Sequence, residues 1–149
     1  MSAYLDALKM LAQRELSEAQ VRRRLHRRKH SAPAIDAAIA RLREEQAIDD
    51  ARVAAAIART QTFIKRRGEQ RVRQLIEQAG IEPETARRVT REVVESSDPD
   101  ALLEAALARR LRRGDRIADD KEFARLYRYL VRQGFEPERV QLALERHRE

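Results

Sequence analysis

Gly80-Ile81-Glu82-Pro83-Glu84 and Gly134-Phe135-Glu136-Pro137-Glu138 share the form Gly-apolar-Glu-Pro-Glu and stand 54 residues apart. A glycine past one helix, an apolar anchor, then proline and glutamate opening the next is the chemistry of a tight helix-to-helix corner. Gly80 and Gly134 take the left-handed turn position, while Pro83 and Pro137 fit a first helical turn, where the missing N–H is not needed. A period near 50 makes the chain an array, so the architecture follows from the repeat unit. Arrays of short helices present extended binding surfaces.

Apolar spacing tests the repeat independently. Val140, Ala143 and Leu144 follow the second corner, and Ala86, Val89 and Val93 follow the first. One period earlier, Ile35, Ala38, Ile39 and Leu42 fall at i, i+3, i+4 and i+7, one face of a helix. The corner there has drifted to Lys29-His30-Ser31-Ala32-Pro33, so the first copy is the divergent one. Helices ahead of the corners carry Val21 and Leu25; Val72, Leu75, Ile76 and Ala79; and Phe123, Leu126, Tyr127 and Leu130. A further helix precedes each, through Leu5, Leu8, Leu11 and Ala12; Val53, Ala56, Ile57, Thr60 and Ile64; and Leu103, Ala106 and Leu107.

The expected fold is all-α: three tandem three-helix repeats over 1–48, 49–97 and 98–149, forming a curved, elongated array. Ser17 with Gln20 and Asp119 with Glu122 read as capping boxes, and Asp98-Pro99 as an N-cap with proline at the first helical position. Gly68 and Gly114 stand where first helices should stop. Each unit is near the lower limit for independent folding and is expected to bury part of its apolar face against a neighbour.

Composition narrows the function. The chain has no cysteine, which excludes disulfides and thiolate metal sites and suits a reducing cytoplasm. No apolar run approaches a membrane span and no signal-peptide pattern opens the chain, so neither a membrane nor a secretory role is expected. The net charge of +7 is uneven: ten cations against six anions in 1–48, ten against eight in 49–97, and twelve against eleven in 98–149.

Three basic runs stand out. Arg22-Arg23-Arg24 is followed by Arg27-Arg28-Lys29; Lys65-Arg66-Arg67 by Arg71 and Arg73; and Arg109-Arg110 by Arg112-Arg113. As a binding stripe they would hold phosphate or an acidic partner, since arginine forks match both bidentately. As structure, many sit in last helical turns, where cations offset the helix dipole by a few tenths of a kcal/mol. Arg23 and Arg27 favour binding. They lie i, i+4 apart, opposite Val21 and Leu25 and without an acid beside them, a like-charge spacing that costs about 0.2–0.5 kcal/mol. The candidate contacts are therefore Arg23, Arg27, Arg28, Lys65, Arg66, Arg67, Arg71, Arg109, Arg112 and Arg113.

Catalysis finds little support. His26, His30 and His147 are scattered, with core or flanking positions; Asp49-Asp50 and Asp119-Asp120 sit where helices begin and read as caps. No glycine-rich phosphate loop or nucleophile–base spacing occurs, so no cofactor and no metal are expected.

Ile48-Asp49-Asp50-Ala51-Arg52-Val53-Ala54 resembles the Leu-Asp-Asp-x-Arg-Phe-Ala segment of RecX regulatory proteins. Leu11-Ala12 with Arg14, Ser17-Glu18, Gly68 before Val72, and Gly80-Ile81 follow the family's order. Leu126-Tyr127-Arg128-Tyr129-Leu130-Val131-Arg132-Gln133-Gly134-Phe135 is similar to its closing motif. Val53 stands where the family usually has Phe, and Lys29-His30 replaces its Gly-Phe. The resemblance implies a non-enzymatic, monomeric, cytoplasmic modulator that binds the RecA recombinase and the RecA–single-stranded DNA filament and inhibits filament growth, ATP hydrolysis and strand exchange, with weak DNA binding in some members. The competing class is a general nucleic-acid-binding helical protein without a dedicated protein partner.

Overall fold

The computed structural model describes residues 2–111 and 116–148. Gly114, Arg112 and Arg113 lie outside the described residues. The first three helices are α1 (Ala3–Gln13), α2 (Glu18–Arg27) and α3 (Ala32–Glu44). The next three are α4 (Asp50–Arg59), α5 (Glu69–Gln78) and α6 (Pro83–Glu95). The last three are α7 (Pro99–Ala108), α8 (Asp120–Arg132) and α9 (Pro137–Arg146). Among the described residues there is no strand.

Helix ends follow local chemistry. Ser17 and Gln20 form a complete capping box, and the Asp98 side chain accepts from the Asp100 N–H ahead of a helix that begins with Pro99. Asp119 accepts from the Glu122 N–H, but the Glu122 carboxylate reaches back one residue further, to the Ala118 N–H at 3.0 Å, so the second box is displaced. Gly80 and Gly134 have φ of +85° and +102°, and Pro83 and Pro137 open α6 and α9. Lys29 holds the equivalent turn with φ +65°.

Apolar side chains close three separate clusters. Ala7, Val21, Leu25, Ile39 and Leu42 centre the first; Ala54, Val72, Ile76 and Ala86 the second; Leu107, Leu130, Val140 and Leu144 the third. The expectation that units share apolar faces is therefore corrected, because each buries its own. Two first helices also differ from the reading of their spacing. In α1 the buried residues are Ala3, Asp6, Ala7 and Met10, while Leu5 is 52% exposed. The helix is rolled so that the Asp6 carboxylate can meet the corner after α2. In the second unit α4 continues into a π-helical turn, Thr60–Ile64, closed by Lys65 N donating to Thr60 O at 3.0 Å. The extra residue in that turn shifts the phase by about 100°, which buries Thr62 and leaves Ile64 at the surface.

Gly68 does not stop a helix; it starts one. It is the N-cap residue of α5 and fully buried against the last corner. Its N–H donates to Gln133 O at 2.6 Å, and Gln70 N donates to Gly134 O at 3.2 Å. The orphan donors opening α5 thus meet the orphan acceptors ending α8. The joint one unit earlier repeats the arrangement: Ala79, which ends α5, accepts at its carbonyl oxygen from the Ser17 hydroxyl that caps α2, at 2.5 Å. The second helices therefore meet end to end, α8 into α5 into α2, an N-terminus against a C-terminus at each joint. Side ties reinforce each joint. Asp50 accepts from Glu18 N at 2.9 Å, Arg52 reaches Glu15 at 2.6 Å, and Arg109 donates to Ile64 O at 2.7 Å.

The accessible area is 9381 Å². A rounded monomer of 17.3 kDa would expose about 7,800 Å². Three small cores joined through narrow polar contacts produce that excess, which is the signature of an elongated array.

Candidate interaction surface

Among the described residues no three His, Asp or Glu side chains gather as metal ligands, and no helix is long and apolar enough to cross a membrane. What the fold displays is charge, and the eight predicted contacts among the described residues separate by what they touch. Arg23 and Arg27 are exposed on α2, away from buried Val21 and Leu25, and neither has an ion-pair partner among the described residues. Arg28, the residue before the Lys29 turn, is instead engaged by Asp6 at 3.1 Å.

That contact belongs to a small network. The Asp6 side chain is 9% exposed and takes His30 Nε2 at 2.6 Å on its other oxygen. The hydrogen bond from His30, opposed by burial and aided by the Arg28 and His30 charges, holds the Asp6 carboxyl below the usual carboxylate range. His30 occupies the corner position filled by Ile81 and Phe135 in the other units, and it docks by this polar contact where they dock by packing. Neither His30 nor His147, whose Nε2 lies 2.7 Å from Glu104, is placed for chemistry; both tie one helix to another.

In the second unit, Lys65 is exposed on the link between α4 and α5, and Arg66, half-buried, holds φ +54°. Arg67 donates to Gln61 at 2.8 Å, and Arg71 to Gln74 at 3.4 Å. The Arg71 backbone forms the floor on which Gly134 rests, where an added Cβ would stand 2.4 Å from the Arg71 nitrogen. Arg109 is spent on its bond to Ile64 O, and Arg110 lies over the Tyr129 ring, 4.0 Å from its centroid. Of the predicted residues, then, Arg23, Arg27, Lys65 and Arg66 remain uncommitted, while Arg28, Arg67, Arg71 and Arg109 hold the fold together.

A cleft of about 460 Å³ opens between the second and third units, over Leu102 and Phe135. Two of its four arginines are neutralised: Arg91 pairs with Glu69 at 3.3 Å, and Arg139 with Asp100 at 3.1 Å and Glu136 at 3.7 Å. Arg73 lines the same cleft without an ion-pair partner among the described residues.

An uninterrupted cationic face lies where no basic run exists in the sequence. Lys121, Arg125, Arg128 and Arg132 recur along α8 at i, i+4, i+7 and i+11, and all four are exposed. At about 100° per residue they fall within a sector of about 60°, opposite buried Leu126 and Leu130. None forms an ion pair with a described residue. The signal is helical periodicity of charge; runs of adjacent arginines conceal it, and so does the near-neutral balance of the third unit.

Residues 3–42 match the family model "RecX, first three-helix domain", and residues 98–144 match "RecX, third three-helix domain". A relative from Halorhodospira halophila (strain DSM 244 / SL1), "Regulatory protein RecX", is 31% identical over 138 residues, spanning 92% of this chain and 83% of that protein. The crystal structure of RecX from Lactobacillus salivarius superposes with a TM-score of 0.83 at 16% identity, covering 97% of this chain and 93% of that one. A second crystal structure, of regulatory protein RecX, gives 0.80 at 20% identity, covering 96% and 70%. The structural likenesses carry the fold, and the sequence matches carry the kinship: this chain belongs to the RecX family of regulatory proteins.

Proposed function

We propose that this protein is a non-enzymatic regulator that binds the RecA recombinase and its filament on single-stranded DNA, and inhibits filament growth, ATP hydrolysis and strand exchange. The observation that carries the reading is kinship with regulatory RecX proteins along 92% of the chain. The elongated array supports it, because a rod of three units can touch several successive protomers of a helical filament. The cations left uncommitted at Arg23, Arg27 and Lys65 are exposed, where acidic protein or nucleic-acid surface would meet them, and Arg66 is half-buried beside Lys65. In this reading the protein acts as a cytoplasmic monomer without a cofactor.

The test is a titration of RecA ATPase on preformed filaments at two salt concentrations. A regulator lying along several protomers, or stopping a growing end, inhibits well below one molecule per protomer and persists at the higher salt. A protein that merely competes for DNA must cover the lattice, so it inhibits only near stoichiometry and fades as salt rises. Absence of any effect at every ratio rejects the regulator reading.

A further inference from the structure

We propose that the outer face of α8 is a sequence-independent binding site for the sugar-phosphate backbone of nucleic acid, carried by Lys121, Arg125, Arg128 and Arg132. These four residues share one sector of a thirteen-residue helix, are exposed, and have no acidic partner among the described residues. The stripe runs about 16 Å, with successive cations about one helical turn, 5.4 Å, apart. That spacing is of the order of the separation between neighbouring phosphates in an extended strand, so each cation can meet its own phosphate.

Two features select nucleic acid over an acidic protein surface. Protein interfaces draw their energy from buried aromatic and apolar anchors surrounded by polar residues. The sector holding the four cations contains no apolar residue, because Phe123, Leu126, Tyr127 and Leu130 all turn toward the third core. Nor does it carry an amide or carboxylate with which to read base edges, so contact with phosphate positions the helix without specifying a sequence. Elsewhere on the surface, arginines beside acids are neutralised in pairs such as Arg22 with Asp36 and Arg87 with Glu84. Like charges at i, i+4 on α8 repel one another in the free protein, a cost that phosphate binding removes.

The experiment needs no recombinase, so its outcome is separate from that of the regulatory reading. A fluorescein-labelled thymidine oligonucleotide is titrated with the full-length protein at several salt concentrations between 50 and 200 mM. Four phosphate contacts contribute about −2.8 to the slope of log K against log salt for a single strand, equivalent to an affinity loss of about 50-fold across that range. Substituting Lys121→Gln, Arg125→Gln, Arg128→Gln and Arg132→Gln together is expected to reduce the slope by about 2.8, and Arg128→Gln alone by about 0.7. Because none of these side chains is buried or paired, the helical circular dichroism should be unchanged, and the single variant reads the same effect if the quadruple one is perturbed. An oligonucleotide of mixed sequence should bind with the same slope. The proposal is overturned if the slope is unchanged in both variants, if wild-type protein does not bind the strand at 50 mM salt, or if the four substitutions abolish binding only to phosphatidylglycerol vesicles.

Discussion

At the scale of single residues, the three corners show why glycine is where it is. Lys29 adopts the same left-handed turn as Gly80 and Gly134, so the turn alone does not demand glycine. The demand comes from the joint. A Cβ on Gly80 would come within 2.4 Å of the Ala19 Cβ, and one on Gly134 within 2.4 Å of the Arg71 nitrogen, whereas no unit docks on Lys29. Lys29→Gly should therefore stabilise the protein by about 0.5–1 kcal/mol through relief of the left-handed strain. Gly134→Ala should cost about 2 kcal/mol or more, since strain and overpacking combine there. Gly68→Ala, at φ −84°, isolates the packing component, because its Cβ would meet the Gly134 carbonyl carbon at 2.3 Å without any strain in its own backbone. Urea unfolding midpoints of the three variants check the order; a harmless Gly68→Ala, with Gly134→Ala losing no more than Lys29→Gly gains, would place the constraint in the turn after all. Asp6 supplies a pH dependence. Its folded pKa is depressed, chiefly by the His30 hydrogen bond, so it stabilises the fold above the ordinary carboxylate value of about 3.9. That contribution disappears as pH falls through the lower folded value. Asp6→Asn should lower stability at pH 7 and flatten its decline toward about pH 3, measured by urea unfolding across that range. A decline as steep as in the wild type would remove Asp6 from the account.

At the scale of helices, the sequence was most legible where periodicity and punctuation agree. The four apolar residues of α3 are all buried, as are Val140, Ala143 and Leu144 of α9, and both Gly-apolar-Glu-Pro-Glu corners join the helices expected of them. Legibility failed where a polar or backbone event outweighs spacing. Leu5 looks like core by its i, i+3 neighbours, yet the helix rolls to satisfy Asp6 with Arg28 and His30. Ile64 continues the α4 pattern until a π turn moves it out of phase, and nothing in Thr60-Gln61-Thr62-Phe63-Ile64 announces that turn. Gly68 was readable as punctuation but not as the seat of a neighbouring unit, because contact between residues 68 and 134 has no local signature. Candidate contacts were read from adjacent arginines, so Arg28 and Arg109 were chosen although both serve internal bonds. The α8 stripe was missed because its members are three and four apart, among acids and aromatics that belong to other faces.

At the scale of the whole molecule, stability is local and shape is set by the joints. Each cluster contains its own apolar interior, and the connections between clusters are hydrogen bonds and, among the described residues, one ion pair, Arg52 with Glu15. The array should therefore give a radius of gyration clearly above the roughly 15 Å of a rounded chain of this length, measured by small-angle scattering. A value at or below that would contradict the extended arrangement. The end-to-end abutment of the second helices has a consequence for biosynthesis. Along that line the order is α8, α5, α2, the reverse of the order in which a ribosome makes them. The amides that open α5 emerge with no acceptor and wait for Gln133 and Gly134, about 65 residues later, to supply one. The first and second units are thus each latched by the unit made after them.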